Sequence, residues 1–362
     1  MKTALILNFT GNTYHYGCYG TSYEIYQQLL EKGYAVNYST VRATHGLPIY
    51  PDSAQTFLNQ NFANEFLAKN SALTFSMDEA DIIVVNGEGT LHRASRGSFS
   101  LLYLIFIATQ IMKKPVYLIN HSVFPNGDNS KNTQLDDFYD KVLTGVTAVA
   151  VRDTFSAQFY RWANIKFTQS FDSLPLFFKR EKLLDVRNEG FDKNKIMLCG
   201  GISYSPEKLQ IIASTLAAQK DTTVEFLLGG KGHLAPEEER ICAQFVAAGL
   251  PVKMIKASSF EEWTRAIASA AVLISGRFHY TIAALALGVP CIAFRSNTPK
   301  VEGIYDLLEH DGFIDWDVKD FQSQLESNLK KAMQGKLALG KDKRDLIISK
   351  ASKNYSIIPD AD

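Results

Sequence analysis

The sequence predicts an α/β protein made of two doubly wound, Rossmann-like domains facing a cleft. Short β-prone apolar runs alternate with helical patterns along nearly the whole chain, which is the signature of parallel sheets with right-handed crossovers. The alternation lapses once, over the charged stretch 178–195, which lacks sustained apolar periodicity and reads as a linker. At 362 residues the chain is also long for one core, and two domains of about 170 to 180 residues each are the natural division. The N-terminal domain is therefore expected over 1–178 and the C-terminal domain over 190–362.

The elements follow in order. Residues 1–9 read as a first buried strand, ending at Thr10-Gly11-Asn12. The glycine-punctuated 10–20 is expected to be a flexible loop ahead of a helix over 23–31, since it holds no G-x-G-x-x-G match. Gly33 closes that helix, 34–41 is a second strand and 52–69 a helix. A strand over 81–85 runs into Asn86-Gly87-Glu88-Gly89-Thr90-Leu91-His92, where flanking glycines predict a sharp turn that brings Glu88 to the sheet edge. Next come a helix over 99–112, a strand over 116–119 and a polar loop, 120–125, carrying His121. A helix over 135–143 and a strand over 148–151 end in Arg152-Asp153, with Ser156 opening another helix, and Asp172 follows a short strand over 167–171.

The second half restarts with a strand over 196–199 entering Gly200-Gly201-Ile202-Ser203, then a helix over 206–218. A strand over 224–228 enters Gly229-Gly230-Lys231-Gly232, followed by a helix over 237–247 and a strand over 252–255. Its far end is 271–300: an apolar run stops at Ser275-Gly276, an alanine-rich helix runs to Gly288, and 289–294 is a further strand. Amphipathic helices over 318–333 and 341–353 close the chain, one of them available to brace the first domain.

Composition narrows the partners. Thirty-eight basic residues balance thirty-eight acidic ones, so nothing favours nucleic acid or an anionic membrane surface. Cys18, Cys199, Cys242 and Cys291 form no C-x-x-C pair, and no H-x-x-x-H or H-E-x-x-H spacing is present, so neither a disulfide framework nor a metal site is expected. The first apolar stretch is too short for a signal peptide, and 101–108 falls short of the ~20 residues of a membrane span. A soluble, cytoplasmic protein without cofactor or metal is the expectation; oligomeric state is open.

Ligands of parallel α/β sheets bind at the carboxyl ends of strands, where helix N-termini present free N–H groups. Arg277 and His279 stand at such a helix start, one supplying a rigid fork for carboxylate or phosphate, the other a group that exchanges protons near neutral pH. Glu88, His92, His121, Arg152 and Asp172 occupy corresponding strand ends in the first domain.

Ser275-Gly276-Arg277-Phe278-His279, with Ala283, Leu285-Ala286-Leu287-Gly288-Val289-Pro290 and a later Lys300, resembles the C-terminal signature of the polysaccharide pyruvyl transferase family. Val151-Arg152-Asp153 with Ser156, then Asp172 before Pro175, resembles its central segment, and Asn86-Gly87-Glu88-Gly89-Thr90-Leu91 its first glycine-rich turn. Glu88 stands where many members have glycine, and Phe278 replaces a commoner leucine. The resemblance implies a GT-B-like architecture and transfer of pyruvate from phosphoenolpyruvate onto sugar hydroxyls of a glycan or lipid-linked acceptor, as a ketal. On that chemistry Arg277, Arg152 and Lys300, with Ser275, Gly276, Ser296 and Thr298, are candidates for the donor, and His279 for the proton donor. Glu88, Asp172, His92 and His121 compete for the base, with Asn86 beside them on the acceptor side. Two alternatives remain: a glycosyltransferase holding a nucleotide-activated sugar through 296–298 and Glu302 or Glu88, and a non-catalytic glycan- or anion-binding protein of the same fold.

Overall fold

The computed structural model describes residues 1–201, 205–232 and 234–361, so the expected turn residues Ile202 and Ser203 lie outside it. The chain divides into two compact units: Met1–Gly11, Ser22–Ser173 and Lys350–Asp362 form the first, Asn12–Thr21 and Leu174–Ser349 the second.

In the first unit six parallel strands, β1 (Thr3–Phe9), β2 (Ala35–Thr40), β3 (Ile82–His92), β4 (Val116–Phe124), β5 (Ala148–Val151) and β6 (Thr168–Gln169), lie in the order β2-β1-β3-β4-β5-β6. Leu5, Ile83, Val85, Leu118 and Val149 are fully or nearly fully buried, as strands of an internal parallel sheet are, and pack with Phe66 and Tyr103 into one core. The winding reverses between β1 and β3, which makes the carboxyl ends of those two strands the switch point. Lys350–Asp362 belongs to this unit and is tied in by side chains: Asn354 Nδ2 donates to Phe171 O at 2.7 Å and Tyr355 Oη to Ser173 Oγ at 2.7 Å.

The second unit repeats the plan with β7 (Asp192–Gly201), β8 (Thr223–Leu228), β9 (Val252–Lys256), β10 (Ala270–Gly276), β11 (Cys291–Phe294) and β12 (Phe313–Ile314) in the order β12-β11-β10-β7-β8-β9, all parallel. Its switch point falls between β7 and β10, where Gly201 pairs with Gly276. Ile196, Leu198, Phe226, Ile274 and Phe294 form the core.

Four local expectations are corrected. The stretch 86–92 is no turn: β3 runs to His92, pairing Asn86 with Ile119 and Glu88 with His121, and its irregularity lies between Glu88 and Leu91. Its partner likewise continues through 120–124 instead of becoming a loop. The glycine-rich 10–20 is no flexible loop either, because the helix Tyr16–Glu31 begins seven residues earlier than its apolar pattern suggests. Gly17 and Gly20 serve close packing there: a Cβ on Gly17 would lie 2.2 Å from His279 Cβ, and one on Gly20 2.7 Å from Leu174. Lastly, 178–195 carries the end of the helix Leu174–Arg180, a 3-10 turn Val186–Glu189 and the start of β7, so charge marked surface and not absence of structure.

Candidate active site

In the second unit β10 delivers the chain to Ser275 and Gly276, and Arg277 becomes the N-cap of the helix Phe278–Leu287. Ser275 ties this turn: its Oγ accepts the Arg277 N–H at 3.1 Å and donates to Arg277 O at 2.9 Å, while Thr281 Oγ1 donates to the same carbonyl at 3.0 Å. At the other end Gly288 adopts φ 68°, the left-handed cap that glycine takes without strain.

The turn leaves Arg277 buried, with Nη2 3.4 Å from Glu237 and Nε 4.0 Å from Glu238. Neither contact is a hydrogen bond, and among the described residues Arg277 Nε and Nη2 have no acceptor. The two glutamates thus balance the guanidinium by charge but leave Nε and Nη2 with hydrogen-bonding capacity for a further acceptor. Gly200, at the end of the neighbouring β7, lies beside the guanidinium: a Cβ there would lie 3.6 Å from Arg277 Nε, an ordinary contact.

Glu238 escaped sequence reading, since it sits in a run of three glutamates that resembles a solvated helix face. It is fully buried, and its Oε2 accepts the N–H groups of Gly229 and Gly230 at 3.0 and 2.8 Å. Burial raises its pKa, opposed by the Arg277 charge and those two N–H groups. Glycine pairs after strands, which the sequence does display, are where such a carboxylate could have been sought.

His279 follows on the first turn, also buried. Its Nδ1 lies 3.7 Å from Cys18 Sγ and its Nε2 3.5 Å from Thr21 Oγ1, and His15 meets the ring edge-on with centroids 5.1 Å apart. His15 and Cys18 reach it because Asn12–Thr21 is fixed to the end of β8. Gly230 bridges to His15, Lys231 N donates to Tyr14 O at 2.5 Å, and Lys231 Nζ donates to Asn12 Oδ1 at 2.8 Å.

Lys300 opens the helix Lys300–Leu308, buried, with Nζ donating to Asn297 Oδ1 at 2.6 Å and lying 5.6 Å from the centre of the Phe278 ring. That contact joins the two helix starts. Thr298 Oγ1 is buried with no partner among the described residues, whereas Ser296 Oγ donates to Asn297 Oδ1 at 3.4 Å. Glu302 is bound by Arg295 at 2.7 Å and is thus taken up within the fold.

The first unit gathers a separate set of polar groups at its switch point. Asn8, Glu88 and Asn120 all have positive φ, at 63°, 38° and 50°, near the end of β1 and within β3 and β4. Such values are uncommon outside glycine and concentrate at functional positions. Glu88 Oε1 accepts from Thr10 Oγ1 at 2.5 Å and from Asn86 Nδ2 at 3.2 Å, and Asn120 Nδ2 donates to Asn86 Oδ1 at 3.1 Å.

The other candidates in this unit are differently placed. Arg152 and Asp172 form a fully buried ion pair at 2.6 Å, with Arg152 Nε donating to Ser122 Oγ. Asp153 caps the helix Thr154–Trp162 by accepting the Ser156 N–H at 2.8 Å, and burial raises its pKa. His92 Nδ1 stands 2.7 Å from Gly89 O. His121 is fully buried with Nε2 2.7 Å from Tyr160 Oη, and burial, aided by the Arg152 charge, lowers its pKa to about 3. It is therefore neutral at physiological pH.

Two parallel six-stranded units of this topology define an α/β protein of GT-B-like fold, and solved structures agree. HepE from Anabaena, in a crystal structure with UDP and glucose, is 11% identical, covering 99% of this chain and 98% of its own, at TM-score 0.57. Sucrose-phosphate synthase from Thermosynechococcus elongatus is 13% identical over 99% and 97%, at TM-score 0.60. A glycosyltransferase from Rickettsia africae is 12% identical over 98% and 96%, at TM-score 0.58. At such identities the likeness is one of fold. No curated protein sequence matches significantly. Residues 15–298 match the polysaccharide pyruvyl transferase family, and the chain belongs to that family.

Proposed function

We propose that the protein moves pyruvate from phosphoenolpyruvate onto two hydroxyls of one sugar in a glycan or lipid-linked acceptor, closing a ketal. The observation that carries this reading is the buried Arg277 fork with two unmatched donors, at the switch point of a member of this family. Phosphoenolpyruvate carries a carboxylate and a phosphate on a three-carbon frame, and a planar guanidinium takes either in bidentate fashion. Lys300, linked through Phe278, is the second cation, and Thr298 Oγ1 and the N–H groups opening the helix Phe278–Leu287 are further donors.

In the proposed reaction His279 protonates the methylene carbon, and the alkene π electrons form the new C–H bond. Positive charge then develops at the central carbon, shared with the enol oxygen. One sugar hydroxyl adds to that carbon and gives its proton to a base. The second hydroxyl then bonds to that carbon as the carbon–oxygen bond to phosphate breaks, and its proton leaves with the phosphate, completing the ketal. Arg277 stabilises the negative charge that grows on the departing phosphate. For the base we propose Glu88, an acceptor-only carboxylate held by Thr10 and Asn86. Arg152 and Asp172 satisfy each other and enter only as framework. We place the reaction in the cytoplasm, which suits four cysteines that form no disulfide.

The experiment is product analysis. With phosphoenolpyruvate and an oligosaccharide or lipid-linked acceptor, phosphate release should match acid-labile pyruvate on the acceptor one to one. Sugar transfer from a nucleotide sugar, with phosphoenolpyruvate untouched, would instead establish the glycosyltransferase reading.

A further inference from the structure

We propose that His15, Cys18 and His279 form a binding site for a thiophilic divalent cation, zinc by preference. The three side chains are buried and offer ligand atoms that all lie within 4.8 Å of one another. The two sulfur–nitrogen separations are the telling ones. Cys18 Sγ is 3.6 Å from His15 Nε2 and 3.7 Å from His279 Nδ1. A tetrahedral zinc with Zn–S of about 2.3 Å and Zn–N of about 2.0 Å sets its sulfur and nitrogen ligands about 3.5 Å apart. Both edges thus stand at the ligand spacing before any ion binds.

The site's elements are also fixed in place. His15 precedes the helix Tyr16–Glu31, Cys18 lies in its first turn, and Gly17 between them packs directly against the His279 side chain. A thiolate with two neutral imidazoles suits a borderline-soft cation, and a hard one such as magnesium poorly. The ion would neutralise the thiolate, which burial otherwise disfavours. Three protein ligands leave a fourth position open, as in zinc sites that take an exogenous ligand. Thr21 Oγ1, 3.5 Å from His279 Nε2, would orient that ring from outside the coordination sphere.

Coordination has one local cost. His15 Nδ1 accepts the Cys18 N–H at 3.4 Å, and binding zinc through Nε2 moves the ring proton to Nδ1 and gives up that long bond. The sequence concealed the site because the third ligand lies 261 residues beyond the second. A cation here takes the Nδ1 lone pair of His279, so metal-loaded protein and the proton-donating imidazole proposed above are alternative states of one side chain. Only that consequence rests on the proposed reaction; the site itself does not.

Cobalt(II) titration of the metal-free full chain, followed by displacement with zinc, tests it without reference to turnover. The expected result is one equivalent bound, with a near-ultraviolet thiolate-to-cobalt charge-transfer band and visible bands of a four-coordinate ion, all lost on adding one equivalent of zinc. Cys18→Ser should abolish the charge-transfer band, and His15→Gln should weaken binding at least tenfold, each keeping the wild-type circular dichroism. A titration with no thiolate band, or zinc affinity unchanged in folded Cys18→Ser, would overturn the proposal.

Discussion

Arg277 and His279 stand two residues apart on one helix start, yet their surroundings differ in kind. The arginine faces glutamates at 3.4 and 4.0 Å and keeps unmatched donors, while the histidine lies between a thiol and a hydroxyl. His279→Asn retains hydrogen bonding and removes proton delivery, so turnover should fall on the order of 100 to 10,000-fold with phosphoenolpyruvate binding within a few-fold. Wild-type turnover in that variant would reduce the histidine to a positioning role. His121 makes a separate prediction through pH. Its folded pKa, about 3, lies below the ordinary 6.5. The unfolded chain therefore takes up a proton that the folded chain refuses, so the stability present above about pH 6.5 is lost as pH falls toward 3. By pH 5 the loss is about 2 kcal/mol. His121→Gln should flatten that slope between pH 7 and 5, as read by denaturant midpoints; an unchanged slope would refute the assignment. Arg277 and His279 were legible because polar residues broke an apolar unit at a strand end. Glu238 and Cys18 were not, because their relevance depends on partners far along the chain.

At the level of elements, glycine carried two meanings that sequence alone does not separate. Gly87 and Gly89 suggested a turn, but β3 continues past them and Gly87 exists because His121 fills the space a Cβ would need, 2.7 Å from Nδ1. Gly17 suggested flexibility, but it is where a helix meets His279. Alternation of strand and helix survives such errors because each parallel strand is a buried apolar run whatever its ends do. Gly17→Ala sharpens the point. Alanine is the better helix former, so propensity alone predicts a gain of about 1 kcal/mol. The 2.2 Å approach to His279 Cβ predicts a loss of roughly 1 to 3 kcal/mol in place of that gain, since backbone must move. Thermal unfolding decides, and a stabilised variant would show the packing to be loose.

For the whole molecule, one chain builds two parallel sheets of six strands, each with a switch point crowded by polar side chains. Their existence could be read from the order of elements. The exchange of short segments could not: Asn12–Thr21 joins the second unit and Lys350–Asp362 the first, through contacts such as Lys231 with Tyr14 and Asn354 with Phe171 that leave no periodic trace. Family membership supports pyruvyl transfer and the fold is equally at home with nucleotide sugars, so the donor is the central claim. Thermal unfolding of wild type and Arg277→Lys with phosphoenolpyruvate, UDP or a UDP-sugar tests it most directly. Phosphoenolpyruvate at about 100 times its dissociation constant should stabilise the wild type by about 2.7 kcal/mol. At that same concentration it should stabilise Arg277→Lys far less, because lysine lacks the planar fork, and neither UDP nor the UDP-sugar should move the wild type. Stabilisation by the nucleotides with none by phosphoenolpyruvate would contradict the account.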